Sequence, residues 1–144
     1  MMNRLVIGAM AAGAIGVLFG SALWAQQAPH SASGGVFTAD QAERGRAVYF
    51  QHCFNCHLDD LTGGAAAPPL AGVDFLSHWK GKPVADLFNM IRMTQPIDNP
   101  GSLTPGRTAE VLAYILRANK YPVGDDELPH DLSALQQIQL DAIP

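Results

Sequence analysis

Two cysteines, separated by two residues and followed at once by a histidine, occur in the segment Cys53-Phe54-Asn55-Cys56-His57. They are the only cysteines among the 144 residues. This spacing is typical of the covalent attachment site of a c-type haem, where both thiols bond to vinyl groups of the porphyrin and the adjacent imidazole ligates the iron. The motif predicts that Cys53, Cys56 and His57 hold one haem, and that the rest of the chain folds around it.

Other sites that use a pair of cysteines fit the sequence less well. A thioredoxin-like dithiol follows a β-strand, and no strand pattern precedes Cys53. A structural zinc site needs four ligands, usually from two separated pairs. A purely structural disulfide would leave the adjacent His57 without a role. The remaining histidines are scattered along the chain at His30, His52, His78 and His130.

The N-terminal segment predicts export from the cytoplasm. Residues 1–4 carry a positive charge, and residues 5–25 are apolar and uncharged. This layout is typical of a signal peptide over residues 1–25, which would place the mature protein in the periplasm. Because an uncharged stretch of this length can also span a bilayer, an uncleaved anchor with membrane association is the alternative. A net charge of −4, with only 15% charged residues, argues against a nucleic-acid partner.

The rest of the chain is predicted to be all-α, with three main helices and long loops. No segment has the strict alternation of apolar and polar residues that a half-buried strand needs. The composition indicates a flexible leader over residues 26–37, a domain over residues 38–124 and a tail over residues 125–144 that packs partly on the domain. Residues 53–72 are rich in Gly, Ala and Pro and are expected to form a loop.

Signals at the ends of the first and last helices are clear. Thr38 and Gln41 form a capping box for the first helix, which is expected to end near Cys53. Gly45 inside this helix indicates that another backbone comes close to it. Thr104 is the expected N-cap of the last helix and Pro105 its first residue, and this helix is expected to end near Asn119, before Pro122.

The middle of the chain predicts a short helical turn and one longer helix. Asp74 is expected to cap the short turn. The longer helix begins at Pro83, and Pro96 ends it by forcing the preceding residue out of the helical conformation. Its apolar residues recur with helical spacing and predict a buried stripe: Val84, Leu87, Phe88 and Ile91.

Segments outside the cysteine motif carry a resemblance to a known family. They are Gly45 and Tyr49, Pro68-Pro69-Leu70-Ala71-Gly72, Trp79, Asp86-Leu87-Phe88, Ile91-Arg92, Asn99-Pro100-Gly101-Ser102-Leu103 and Ala113-Tyr114-Ile115-Leu116. With these segments, residues 38–124 resemble class I c-type cytochromes, in particular the small periplasmic carriers and subunits associated with quinoprotein alcohol and sugar dehydrogenases. The resemblance implies the cytochrome c fold, with three main helices and loops around one covalently attached haem.

The resemblance also implies roles for two residues near the haem. In the family, a Pro-x-Leu-x-Gly stretch supplies a backbone carbonyl to the ring N–H of the iron-bound histidine, which assigns this role to Pro68, with Pro69 as the alternative. Such an acceptor fixes the tautomer of the imidazole and makes it a stronger donor to iron. Trp79 is expected to be a core aromatic, or else to donate to a haem propionate as its counterpart does in related cytochromes.

The sixth ligand of the iron is where the sequence departs from the family. A methionine directly before a proline usually fills this role there, and Gln95-Pro96 stands at that position. Softness and geometry favour the thioether of Met93, if the chain is extended so that positions 93 and 95 point to the same side. The alternatives are the amide oxygen of Gln95, a five-coordinate iron and a histidine such as His78. Met90 is assigned to core or haem packing.

These features together predict an electron-transfer protein rather than an enzyme. The resemblance implies a periplasmic one-electron carrier, or a cytochrome subunit, that takes electrons from a dehydrogenase of the quinoprotein kind. The acceptor is expected to be a respiratory cytochrome or oxidase. The alternative function is a haem protein whose open or labile sixth site binds carbon monoxide, nitric oxide or peroxide, because the family's methionine is missing before Pro96.

Overall fold

The computed structural model describes residues 30–65 and 67–141, so the predicted signal peptide lies outside the described residues. Its helices are α1 (Ala39–His52), α2 (Phe54–His57), α3 (Val73–Trp79), α4 (Val84–Thr94), α5 (Pro105–Ala118) and α6 (Leu132–Leu135). The predicted all-α class is confirmed, and α1, α4 and α5 are the three main helices. Within the described residues, no helix has the length and apolar character that a membrane span requires.

Two short strands add a feature that the sequence did not predict. β1 (His30–Ser31) and β2 (Ile138–Gln139) pair in parallel, with His30 opposite Ile138. Two residues are too few to show a period-2 pattern, so alternation could not reveal these strands. Their pairing joins the two ends of the described chain.

α1 and α5 cross at a glycine. Gly45 is buried, and a Cβ at this position would lie 1.7 Å from the carbonyl oxygen of Glu110. One turn further along α1, the buried ring of Tyr49 lies 5.2 Å from the ring of Tyr114. The prediction that another backbone approaches Gly45 is confirmed, since only a residue without a side chain fits between the two helices.

The predicted ends of α1 and α5 are also confirmed. The side chain of Thr38 accepts a hydrogen bond from the backbone N–H of Gln41 at 3.1 Å. In the same way, Thr104 accepts from the N–H of Arg107 at 3.3 Å, and Pro105 is the first residue of α5. Each N-cap side chain therefore satisfies a backbone donor that has no partner inside the helix.

The middle of the chain differs in detail from the prediction. Asp74 is not a cap, because α3 already begins at Val73. The N-cap is Gly72, whose φ of 90° is a backbone conformation that glycine adopts readily. Pro83 is the N-cap of α4 rather than its first residue. The loop predicted over residues 53–72 contains one helical turn, α2. The predicted stripe on α4 is confirmed by the burial of all its members: Val84, Leu87, Phe88 and Ile91.

Gln41 does not complete the capping box. Its side chain is buried and bonds to the backbone of Leu128 instead, donating to the carbonyl at 2.9 Å and accepting from the N–H at 2.7 Å. A side-chain amide matches a backbone peptide group in both directions. Gln41 therefore fastens the segment that follows α5 onto α1.

Both terminal segments pack on the domain. Ala32 and Phe37 are fully buried, so the described part of the predicted leader, residues 30–37, lies against the core instead of forming a separate linker. The hydroxyl of Tyr121 donates to the carbonyl of Asp141 at 2.8 Å. The tail packs on the domain because this buries its apolar side chains. These are Leu128, Leu135, Ile138 and Leu140.

A pair of Gly→Ala variants tests the helix crossing. Gly45→Ala should lower the free energy of unfolding by about 3 kcal/mol, because the new methyl group collides with the backbone of α5. Gly106→Ala is the matched control, since Gly106 lies in α5 with open space around it. The control should raise stability by about 0.5–1 kcal/mol through helix propensity. Denaturant unfolding measures both, and equal stabilities of the two variants would contradict the crossing.

A second pair of variants tests the attachment of the tail. Gln41→Leu should lower the free energy of unfolding by about 1–3 kcal/mol, because it leaves the buried N–H and carbonyl of Leu128 without partners. Hydrogen exchange at Leu128 should rise in the same variant. Arg44→Ala removes two ion pairs of a solvent-exposed arginine, with Glu127 and Glu110, and should change little. Equal effects of the two changes would show that the buried amide does not hold the tail.

Candidate functional site

One helical turn carries the cysteine motif. The N–H of Cys53 bonds to the carbonyl of Tyr49 at 2.8 Å, so α1 runs directly into this turn. The carbonyl of Cys53 then accepts from the N–H groups of Cys56 and His57 at 3.2 Å and 3.0 Å. The two cysteines form no disulfide; Cys53 is half-buried and Cys56 is exposed. Backbone hydrogen bonds therefore hold the two thiols and the imidazole at fixed relative positions.

The thiol of Cys53 lacks the properties of a reactive cysteine. Burial raises the pKa of the Cys53 thiol to about 11, and the neighbouring Cys56 adds to this shift. Redox-active and nucleophilic cysteines have lowered pKa values, because the thiolate is the reactive form. The segment before Cys53 is helix α1 and not a strand, which also differs from the thioredoxin arrangement.

The imidazole of His57 is oriented by a backbone carbonyl. Its Nδ1 lies 2.8 Å from the carbonyl oxygen of Pro68. Because a carbonyl can only accept, Nδ1 carries the proton and the lone pair of Nε2 is available to a metal. The contact that the resemblance implies for Pro68 is therefore present, and the alternative acceptor Pro69 is not used.

The loop that carries Pro68 is fastened at both ends. The N–H of Gly63 donates to the carbonyl of His57 at 3.1 Å, and the N–H of Leu70 donates to the carbonyl of Leu61 at 2.8 Å. Gly63 has a φ of 71°, and a Cβ there would lie 2.5 Å from the carbonyl oxygen of Ala67. The backbone of His57 thus positions the same loop that bonds to its side chain.

Two residues support this arrangement from the helices. Buried Asn119, at the end of α5, donates to the carbonyl of Leu70 at 2.8 Å and accepts from the N–H of Gly72 at 3.0 Å. The hydroxyl of Tyr49 donates to the carbonyl of Leu58, just after the motif. Burial raises the pKa of Tyr49, which keeps this donor protonated. Sequence reasoning assigned Asn119 only to the end of the helix and missed its contact with the loop.

An apolar cavity of about 330 Å³ lies beside Pro68. The polar residues at its edge are Asp74 and His78. Trp79 is half-buried and packs against the core, which is the first of its two predicted roles. The ammonium group of Lys82 lies 4.9 Å from the centre of the indole ring. The apolar lining consists of Pro68, Pro69, Leu70, Phe75, Trp79 and Met90.

The structure does not bring the predicted ligand Met93 to this cavity. α4 continues to Thr94, so Met93 stays helical on the side opposite the buried stripe, and its side chain is 67% exposed. The chain becomes extended only at Gln95, which removes the geometry that the prediction required. Gln95 is half-buried, and its amide donates to the hydroxyl of Thr94 at 3.4 Å. The residue of α4 that lines the cavity is Met90.

The donor set and the surroundings fit a covalently attached haem. Two thiols and an imidazole with a defined tautomer stand on one turn, and an apolar cavity lies beside the residue that orients the imidazole. Nη1 of Arg92, on the same helix as Met90, is buried without a hydrogen-bond partner among the described residues. Residues 30–65 and 67–141 contain no cluster of three or more His, Cys, Asp or Glu side chains suited to a metal ion.

Comparison with known proteins places this site in a family. No curated protein and no solved structure shows a significant match to the chain. Residues 40–115, just over half of the chain, match the family model described as cytochrome C oxidase, cbb3-type, subunit III. The matched range covers the cysteine motif and the helices α1 to α5 almost completely. The chain belongs to this family of c-type cytochrome domains, whose members bind haem covalently and transfer electrons.

Proposed function

We propose that the protein is an exported one-electron carrier, or a cytochrome subunit, with one haem c bonded to Cys53 and Cys56 and ligated by His57. The hydrogen bond from Nδ1 of His57 to the carbonyl of Pro68 carries this proposal. It leaves Nε2 as the donor, next to two thiols with the attachment spacing. The sequence has a single motif of this kind, which supports one haem per chain.

The residues around the motif support electron transfer in specific ways. A bound haem supplies an iron centre that changes between the ferrous and ferric states. The Pro68 carbonyl makes the His57 imidazole a stronger donor, and the apolar side chains of the cavity exclude water. Because these groups have fixed positions around the iron site, few protein atoms have to move when the iron gains or loses an electron.

The proposed electron donor is a periplasmic dehydrogenase, of the quinoprotein kind, and the proposed acceptor is a respiratory cytochrome or oxidase. The exposed surface beside the motif supports contact with such partners. Phe50 and Phe54 are both 39% exposed and stack at 5.4 Å, and exposed Asp59 and Asp60 follow the motif. Short-lived electron-transfer complexes commonly combine a small apolar contact with charged groups at its edge.

A ligand-binding function is the second candidate. It is favoured by the positions of Met93, which is mostly exposed, and Gln95, which bonds to Thr94. If no side chain of the chain reached the sixth position, ferric iron would be high-spin and the ferrous protein would bind carbon monoxide readily. An optical spectrum with and without carbon monoxide distinguishes this candidate from the carrier.

Mass spectrometry tests the covalent attachment. Wild-type protein matured in a host that attaches haem c should have the mass of the polypeptide plus one haem, and Cys53→Ala/Cys56→Ala should lack it because both thioether bonds are lost. His52→Ala is the matched control, since His52 adjoins the motif without belonging to it. Unmodified wild-type polypeptide from such a host would refute the proposed function.

Reduction kinetics test the direction of electron flow. We expect the ferric protein to accept one electron per haem from a quinoprotein dehydrogenase supplied with its substrate, as followed by stopped-flow absorbance. The reaction should depend on ionic strength, because charged groups steer the two proteins together. Stoichiometric reduction by dithionite but none by the dehydrogenase would rule out this donor.

A further inference from the structure

The iron needs a second axial ligand if this protein is to work as a carrier, and α4 offers two methionines at different positions. Met90 lines the cavity beside Pro68, whereas Met93 is 67% exposed. The two residues are three positions apart on one continuous helix, so their side chains cannot exchange places without unwinding it. Of these two methionines, the cavity lining therefore contains Met90 and not Met93.

Thr94 fixes the surroundings of Met90. Its hydroxyl donates to the carbonyl of Met90 at 2.6 Å and lies 3.7 Å from the thioether sulfur. The side chain of Met90 is half-buried, packs against the core and belongs to the lining of the cavity. A hydroxyl donates only one proton, and the shorter contact gives it to the carbonyl, so both lone pairs of the thioether sulfur stay available to a metal.

The other candidate ligands are less suitable in position or chemistry. His78 also lines the cavity, but it is exposed and its Nε2 lies 3.4 Å from the ammonium group of Lys82, which uses the lone pair that a metal would need. Gln95 offers a hard amide oxygen, and its side chain bonds to Thr94. Haem iron accepts a thioether readily, as a soft ligand opposite histidine.

We propose that the thioether of Met90, carried within helix α4, is the sixth iron ligand, in place of a residue directly before Pro96. This inference rests on the proposed function, because it requires that haem is attached at Cys53 and Cys56. It assigns Met93 to the protein surface and Gln95 to the end of the helix.

Spectroscopy of the holoprotein distinguishes the candidate ligands. Ferric wild-type protein should show the near-infrared band that reports charge transfer from a thioether sulfur to iron, and Met90→Leu should lose it. Met93→Leu is the matched control, with the same replacement on the same helix, and it should retain the band. Gln95→Leu should retain it as well. The proposal is supported only if Met90→Leu loses the near-infrared band while Met93→Leu and Gln95→Leu both retain it.

A second variant guards against simple disruption of the fold. Met90→His should remain low-spin in the ferric state, with a bis-imidazole spectrum and no thioether band, because the new side chain supplies a nitrogen ligand from the same position. Met90→Leu should become high-spin and bind carbon monoxide. A high-spin ferric spectrum of Met90→His, with helical circular dichroism and attached haem both retained, would overturn the proposal.

The outcomes separate this inference from the proposed function. A wild-type protein that carries haem but shows no thioether band, or that loses the band in Met93→Leu, overturns the assignment of Met90 and leaves the attachment intact. A wild-type protein without haem overturns both. Mass spectra of every variant therefore accompany the optical spectra, since a change of axial ligand leaves the thioether bonds to Cys53 and Cys56 in place.

Discussion

The close approach of α1 and α5 at Gly45 determines where the parts of the site lie. Without a side chain at this position, the backbone of α1 reaches the backbone of α5 at Glu110. α1 then continues through a backbone hydrogen bond into the turn that begins at Cys53, and α5 ends at Asn119, which holds the loop that bonds to the imidazole of His57. The donor and the acceptor of that bond thus belong to segments positioned by two helices in direct contact, so the tautomer of His57 depends on the crossing.

Local signals predicted the helices well because each signal acts within a few residues. Thr38 and Thr104 accept from backbone N–H groups three positions later, and Pro96 acts on the residue before it. The stripe on α4 repeats with the period of the helix and is buried. The contact at Gly45 could also be predicted, although the identity of its partner could not, because a missing side chain does not tell which backbone fills the space.

Contacts between distant parts of the chain could not be predicted from the sequence. Gln41 matched a capping box, yet its amide bonds to Leu128, 87 positions away. The sequence predicted Asn119 only as the end of a helix, although its side chain also bonds to the loop after Pro68. Met93 was favoured on the condition that the chain is extended from position 93 to position 95, but α4 continues to Thr94 and the methionine that lines the cavity is Met90. Each of these outcomes depends on which surfaces meet in three dimensions.

A ligand within a helix and a ligand in a loop place different demands on the chain. A loop ligand orders its own segment when it binds iron, which costs conformational entropy. Met90 lies in a helix whose backbone is already fixed by hydrogen bonds and by the burial of Leu87 and Ile91 on either side of it. Ligation there would leave the segment after Pro96 without a role at the iron, and Ile97 in that segment is 77% exposed. Replacing a methionine before the proline by Gln95 is therefore compatible with a six-coordinate iron, because the neighbouring helix can supply the sulfur.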